Sequence, residues 1–326
     1  MVAMKAIRIH RNGGPEALAL EDVTVAAPGP GEALVKQTAI GVNFIDVYHR
    51  TGLYPLPLPS GIGQEAAGVV EAIGDGVSEV AVGDRVGYAV GALGAYAEAR
   101  LVRADRLIKL PDYVSDETAA ALMLKGLTSE YLIRRTIEIK AGDIVLFHAA
   151  AGGVGLIACR WLNALGAKVI GTAGSDEKAK LARENGCDEV ILYKREDFST
   201  RLRELTGGRG ADVVYDSVGK DTLLKSLDCL RPRGTLVSFG NASGKPDPLD
   251  ILLLSNKGSL YVTRPKLADY VATRSELVSA ADALFAAYEA GHVKAQIGQR
   301  FPLERVADAH RALESRSTIG STVLTV

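Results

Sequence analysis

Hydrophobic and polar positions change rhythm once along this chain. From the N-terminus to about Pro111 the apolar residues come in short alternating runs, "KAIRIH", "ALVKQTAI", "AAGVVEAIG" and "GDRVGYAV", cut repeatedly by Gly and Pro. Alternation with period two puts one set of side chains on a buried face, so this stretch predicts an irregular β domain. "APGPGEA" and "YPLPLPSGIG" are excluded from helix, because proline removes a donor and fixes φ while glycine favours turns.

From "SDETAAALMLKGLTSEYLIRR" onward strands alternate with helices. Ser115 is an N-cap candidate there, and Asp116 and Glu117 suit a first helical turn. Strands are predicted at Ile144–His148, Lys168–Ala173, Glu189–Tyr193, Val213–Ser217, Thr235–Gly240 and Leu260–Thr263. A helix-like segment follows each of the first four, and right-handed crossovers then predict one parallel, doubly wound α/β sheet. After "VTRP" come the strongly helical "TRSELVSAADALFAAYEAG" and a last stretch read as helix plus terminal strand, returning to complete the first domain.

Composition narrows the classes. The chain has 326 residues, 47% of them hydrophobic, which is material for two cores. A formal net charge of -1 gives no field that would gather nucleic acid or an anionic membrane, so neither is expected as a partner. The start "MVAMKAIRIH" lacks the long apolar region of a signal peptide, and a cytoplasmic protein is expected. Cys159, Cys187 and Cys229 form no CxxC pair, which argues against a disulfide framework or a cysteine-rich zinc module. The five histidines, His148 among them, are scattered with no HExxH pairing and read as structural.

The chemistry concentrates in "VLFHAAAGGVG", residues Val145 to Gly155. A dinucleotide fingerprint needs a tight turn, a bare backbone under the pyrophosphate and a third small residue where helix meets sheet. Ala150, Gly152 and Gly155 take those places, with Gly153 an additional bare position; a strand precedes them and an all-apolar helix, Val154 to Leu165, follows, stopped by Gly166. Backbone N–H groups at that helix start would face the pyrophosphate. At the end of the second strand, "VIGTAGSDEKAK" places no acid at the tip, where an NAD site commonly puts one for the ribose hydroxyls. Ser175 offers a hydroxyl and Lys178 a cation, while Asp176 and Glu177 sit where they serve the helix macrodipole. NADPH is therefore the expected cofactor.

With "GVNFIDVYHRTGLYP", "GIGQEAAGVVEAIG" and "VGDRV" upstream of the glycine loop, the chain resembles the medium-chain dehydrogenase/reductase superfamily. "NFIDVYHRTG", "MLKGLTSEYL", "VSFGNASG", "VTRP" and "LESRSTIGS" resemble its NADPH quinone oxidoreductase (zeta-crystallin-like) family, over essentially the whole length. The resemblance implies a GroES-like β-rich catalytic domain, residues 1–125 and 266–326, and a Rossmann domain, 126–265. It also implies cofactor contacts at Lys125 and Thr128, at Ala151, Gly152, Gly153 and Val154, and at Gly174, Ser175 and Lys178 for the adenosine phosphate. Tyr193 would lie beside the ribose, Phe239 and Asn241 near the nicotinamide, and Arg264 and Arg316 would close the site or serve as surface ion-pair partners.

Zinc-dependent members of the superfamily carry Cys, and a His-Glu pair, where this chain has Asn43 and Gln64-Glu65; all three Cys lie after residue 150, so no thiolate zinc site is expected in the first domain. Without a Lewis acid, an electron-poor acceptor is the natural substrate, because a quinone takes a hydride and stabilises the anion by aromatisation, and the family resemblance leaves transfer of single electrons equally open. Asn43, Tyr48 and Tyr54 are the candidate donors on the acceptor side, and the tyrosines serve equally as packing aromatics. The alternatives are a zinc-free NADPH-dependent enoyl or acryloyl thioester or activated-alkene reductase and, outside catalysis, an NADPH-binding structural or RNA-binding protein of the crystallin type. The resemblance further implies a homodimer built on the edge strand "GSLYVTR", near 259–264, which is apolar and last in its sheet unless a helix covers it.

Overall fold

The computed structural model describes residues 2–315 and 318–326, and the chain divides into two units. The first comprises Met1–Leu127, Val271–Phe285 and Ala295–Val326; the second comprises Thr128–Tyr270 and Ala286–Lys294.

The alternating runs of the N-terminal third form β1 (Val2–Ile9), β2 (Ala19–Val25), β3 (Glu32–Val42), β4 (Ser60–Gly61), β5 (Glu65–Ile73), β6 (Arg85–Tyr88), β7 (Ala99–Arg103) and β8 (Ile108–Lys109). Helix α1 (Phe44–Thr51) follows β3, and α2 (Asp116–Glu130) follows β8. Strand β3 is the spine of this unit, pairing antiparallel with β5 and β7. Its Val35, Ile40 and Val42 enter a core with Val86, Tyr96 and Leu107. Ser115 caps α2, its Oγ accepting from Thr118 N at 3.2 Å. The helix continues into a π-helical turn at Tyr131–Thr136.

The second unit follows the βα alternation: β9 (Ile144–Phe147), α3 (Gly153–Ala164), β10 (Lys168–Ala173), α4 (Asp176–Glu184), β11 (Glu189–Leu192), α5 (Phe198–Leu205), β12 (Ala211–Asp216), α6 (Leu223–Ser226), β13 (Leu230–Ser238), α7 (Leu252–Asn256) and β14 (Tyr261–Thr263). All six strands are parallel, in the order β11-β10-β9-β12-β13-β14. The chain builds outward from β9 to one edge and then from β12 to the other, so the order reverses between β9 and β12. Ligands of doubly wound sheets bind beyond the carboxyl ends of the strands at such a reversal. All six β12 residues are buried, as a strand covered on both faces requires.

The chain ends with α8 (Leu267–Tyr270), α9 (Arg274–Glu289), β15 (Ile297–Pro302), α10 (Val306–Glu314) and β16 (Ser321–Thr325). Strand β16 pairs antiparallel with β3, so the terminal strand does complete the first sheet. The last turn of α9 and the segment to Lys294 group with the second unit, where Arg160 Nε donates to the Gly291 carbonyl at 2.9 Å.

Several boundaries differ from the expected ones. His148, Tyr193 and Ser217 lie just past their strands, because the backbone turns there into the ligand-side loops. β13 begins at Leu230, earlier than Thr235, through an irregular start in which Arg233 takes φ 61°. α1 and β15 were not foreseen: α1 hides in a β-like texture, and β15 carries Pro302 at its end, which an edge strand tolerates. No helix among the described residues is long and apolar enough to cross a membrane.

Candidate functional site

In the second unit the expected dinucleotide loop leaves β9 at Phe147. The Gly152 N–H donates to the Ala149 carbonyl at 2.9 Å, closing the turn, and Gly152 then caps α3. A Cβ on Gly155 would lie 2.5 Å from the Ala149 oxygen and 2.6 Å from the Ala150 oxygen, so only glycine lets the helix start against its own turn. The strained residue sits one position earlier than the spacing implied: Ala149, with φ 53°, makes the turn, while Ala150 is buried and packs against Gly171 of β10. The first-turn N–H groups of α3 have no carbonyl behind them within the helix and suit an anion.

One strand over, β10 ends in Ala173 with no carboxylate at its tip. Ser175 caps α4, its Oγ accepting from Lys178 N at 3.3 Å. Asp176 is held in a bidentate pair by Arg195 at 2.9 and 2.6 Å, which neutralises the acid nearest to Ser175. Lys178 is half-buried; burial first, and then the neighbouring Lys194 ammonium, hold its pKa below the usual lysine range. The Tyr193 hydroxyl stands against the bare backbone of Gly174.

Beyond β13, Phe239 packs on Phe147 with ring centroids 5.8 Å apart. Arg264 is anchored on the same loop, its Nη1 donating to Ser238 Oγ at 2.8 Å and to the Gly240 carbonyl at 3.0 Å. The hydrogen-bond network orients the Asn241 amide so that its nitrogen donates to the Gly240 carbonyl and its oxygen accepts from Arg264 Nη2. Arg316 lies outside the described residues.

The first unit brings Asn43 and Lys125 together through a residue the sequence argument used only as a contrast, Glu65. Its carboxylate has no exposure and accepts from Asn43 Nδ2 at 2.8 Å, Leu124 N at 2.7 Å and Lys125 Nζ at 3.4 Å. Gly41 is bare because Glu65 and the Ala120 carbonyl fill the space a Cβ would need. Thr128, half-buried, follows Lys125 three residues along α2. Tyr48 and Tyr54 meet edge to face at 5.2 Å, Tyr48 buried and Tyr54 half-buried.

A second buried acid organises α1. Asp46 Oδ2 accepts from Asn43 N and from Tyr96 OH, both at 2.8 Å. Tyr96 OH lies 3.1 Å from His310 Nε2, His310 Nδ1 lies 3.2 Å from Arg50 Nη1, and Arg50 grips Glu314 at 2.6 and 3.0 Å. Burial pushes the Asp46 carboxyl up to about 7 against those two hydrogen bonds, and burial, aided by Arg50, drops His310 to about 3. The Asp46 Oδ1 atom has no hydrogen-bond partner among the described residues. The donor set of this unit does not suit zinc: Asn43 contributes an amide, Glu65 is committed to an ammonium and two N–H donors, and all three thiols belong to the second unit.

Comparison with known proteins agrees with this geometry. Residues 29–112 match the alcohol dehydrogenase GroES-like domain, and residues 153–278 match the zinc-binding dehydrogenase family. A quinone oxidoreductase of Pseudomonas aeruginosa is 54% identical, over 98% of this chain and 99% of that protein. The chain belongs to the quinone oxidoreductase family. The structure of the Escherichia coli quinone oxidoreductase complexed with NADPH superposes with a TM-score of 0.97 at 51% identity, over 99% of this chain and 100% of that one. A 2-haloacrylate reductase of Burkholderia sp. is 49% identical, over 97% of each chain. As in other members of the superfamily, this quinone oxidoreductase family chain joins a GroES-like unit to a Rossmann sheet.

The structure thus brings Ala151 to Val154, Gly174 to Lys178, and Phe239, Asn241 and Arg264 to the carboxyl-terminal ends of one parallel sheet. Glu65, Asp46, Lys194 and Arg195 were missed. Asp46 had a signal, since Asn43-x-x-Asp46 has the spacing of a helix cap; the other three are recognisable only once the chain is folded.

Two outcomes follow. Because the Asp46 pKa is raised from 3.8 to about 7, the protonated form fits the fold; the stability it contributes is fully present below pH 3.8 and lost as pH rises through about 7. Asp46→Asn keeps an acceptor for Tyr96 and Asn43 and removes the titration, so its melting temperature should rise relative to the parent between pH 5 and 8, as thermal melts at stepped pH will record. Gly155→Ala should weaken nucleotide binding by about tenfold or more, measured by fluorescence titration, because the clash is with backbone.

Proposed function

We propose that the protein is a cytoplasmic NADPH-dependent quinone reductase that works without zinc. The observation that carries the activity is the full-length likeness to quinone oxidoreductases at 54% identity. The preference for NADPH is supported by the adenosine end of the second unit, where no acid stands at the β10 tip, Asp176 is neutralised by Arg195, and Ser175, Lys178 and Lys194 collect beside Gly174. Bound there, the nicotinamide supplies a hydride at C4, and the quinone with one proton from solvent leaves as hydroquinone.

The chain's own residues bind and orient. The α3 N-terminus takes the pyrophosphate, Tyr193 borders the ribose, and Arg264 and Asn241, locked to the Ser238–Gly240 loop, frame the nicotinamide end. On the acceptor side the second N–H of Asn43 Nδ2 and the Tyr48 and Tyr54 hydroxyls are the proposed donors to the developing oxyanion, with Glu65 and Asp46 fixing Asn43 from two sides. Lys125 holds Glu65, and its assignment with Thr128 to the cofactor is supported by the full-length likeness to quinone oxidoreductases. The likeness to a 2-haloacrylate reductase favours a second substrate class, an activated alkene, which accepts a hydride by the same logic.

Strand β14 pairs with β13 alone among the described residues, and Tyr261 on it is 62% exposed, close in sequence to the exposed Ile251 and Leu252. A second copy of the chain on this edge, giving a homodimer, is the proposed cover.

Initial rates with 1,4-naphthoquinone, 2-chloroacrylate and crotonyl-CoA, with and without a strong chelator, test the reading. Quinone turnover should be chelator-insensitive and faster with NADPH than with NADH; chelator-sensitive rates would overturn the zinc-free mechanism, and crotonyl-CoA turnover with idle quinone would move the protein to the thioester reductases. Lys178→Ala should raise KM for NADPH by about tenfold or more and leave that for NADH nearly unchanged, since only the 2′-phosphate is affected. Tyr261→Lys should shift the sedimentation coefficient from dimer to monomer.

A further inference from the structure

Beneath the dinucleotide loop runs a chain of buried polar side chains to which the reading above gives no task. His148, the residue after β9, is 1% exposed; its Nδ1 lies 3.1 Å from Thr172 Oγ1 and its Nε2 2.9 Å from Ser226 Oγ. Ser226 Oγ lies 3.1 Å from Asp216 Oδ2, which also accepts from Thr222 Oγ1 at 2.7 Å. Asp216 Oδ1 accepts from Val218 N at 2.8 Å and Gly219 N at 3.0 Å. At the other end Thr172 Oγ1 accepts from the Ala149 N–H at 3.2 Å.

These contacts fix every proton. Asp216 is an acceptor at both oxygens, so the Ser226 hydroxyl donates to it and spends its single proton there. The Ser226 oxygen therefore accepts from His148 Nε2–H. Burial holds the imidazole neutral, with one N–H, so Nδ1 accepts from the Thr172 hydroxyl. The Thr172 oxygen is then left to accept from Ala149. One arrangement satisfies the whole chain, and it ends on a strained residue. Ala149 holds φ at 53°, a left-handed conformation that a side chain disfavours, and its carbonyl closes the loop turn.

We propose that His148, with Thr172 and Ser226, is a positioning residue for the cofactor: the relay from Asp216 to Ala149 holds Ala149 in its left-handed state and so aims the loop N–H groups at the pyrophosphate. This rests on the reading of that loop as the NADPH site. The relay ties together the carboxyl ends of β9, β10 and β12, the three strands nearest the reversal of sheet order.

The pyrophosphate is common to both nicotinamide nucleotides, which separates this role from that of Lys178. In Thr172→Val, near in shape and without the hydroxyl, the dissociation constants for NADPH and NADH should rise together by about tenfold, read by fluorescence titration. KM for the quinone should move less than about twofold. Thr172→Ser should restore both affinities. Ala149→Gly, which removes the strain the relay opposes, should recover most of the loss when combined with Thr172→Val. Should Thr172→Val fail to fold, Ser226→Ala cuts the relay at its far end and should give the same paired loss. Unchanged affinities, a loss confined to NADPH, or a double variant no better than Thr172→Val would overturn the proposal. A parent protein that binds neither nucleotide would instead overturn the proposed function.

Discussion

Glu65 is a carboxylate with no exposure, and the first unit is arranged around the need to satisfy it. An ionised group taken out of water must recover several kcal/mol from partners, so the fold supplies an amide from the residue before α1, a backbone N–H from α2 and the ammonium of Lys125. That requirement fixes where β5, α1 and α2 meet and keeps Gly41 without a side chain. Asn43 consequently has both its backbone and its side chain pinned by acids, Asp46 and Glu65.

The second unit repeats the device with different parts. Asp216, at the end of β12, accepts two N–H donors from the turn that follows and two hydroxyls from Thr222 and Ser226. In each unit a fully buried acid sits at one end of a strand and disciplines the loops beside it. Buried polar networks whose members are all satisfied specify one geometry, which is what a site that binds and orients a ligand needs.

Much of this was legible in the sequence. The period of the apolar residues identified the parallel sheet, and "AAAGGVG" with its flanking strand and helix located the nucleotide loop, because periodicity and glycine spacing are local properties. The buried charges were not legible. Glu65 and Lys125 are 60 residues apart and His148 and Ser226 are 78, and no local pattern announces partners at such separations. His148 reads as an isolated core histidine in the sequence, and its partners, Thr172 on β10 and Ser226 in α6, are set beside it only by the fold. Arg195 is similar: it is 19 residues from Asp176, and only the fold sets its guanidinium against that acid. The strain at Ala149 fell one residue from its expected place, since the fingerprint records where small residues are tolerated and not which one turns.

The pairing of β16 with β3 has a consequence for how the molecule is made. Residues Ala39–Val42 of the first sheet's spine wait for Thr322–Thr325, which are synthesised only after the whole of the second unit. The second unit is contiguous from Thr128 to Tyr270 apart from one short return, and its strands pair with neighbours made within tens of residues. On a translating ribosome the nucleotide-binding sheet is therefore complete while the spine of the other unit still lacks a neighbour. A nascent chain passes through a stage in which the second unit is folded and the edge of β3 is open, so the unit begun first is completed last.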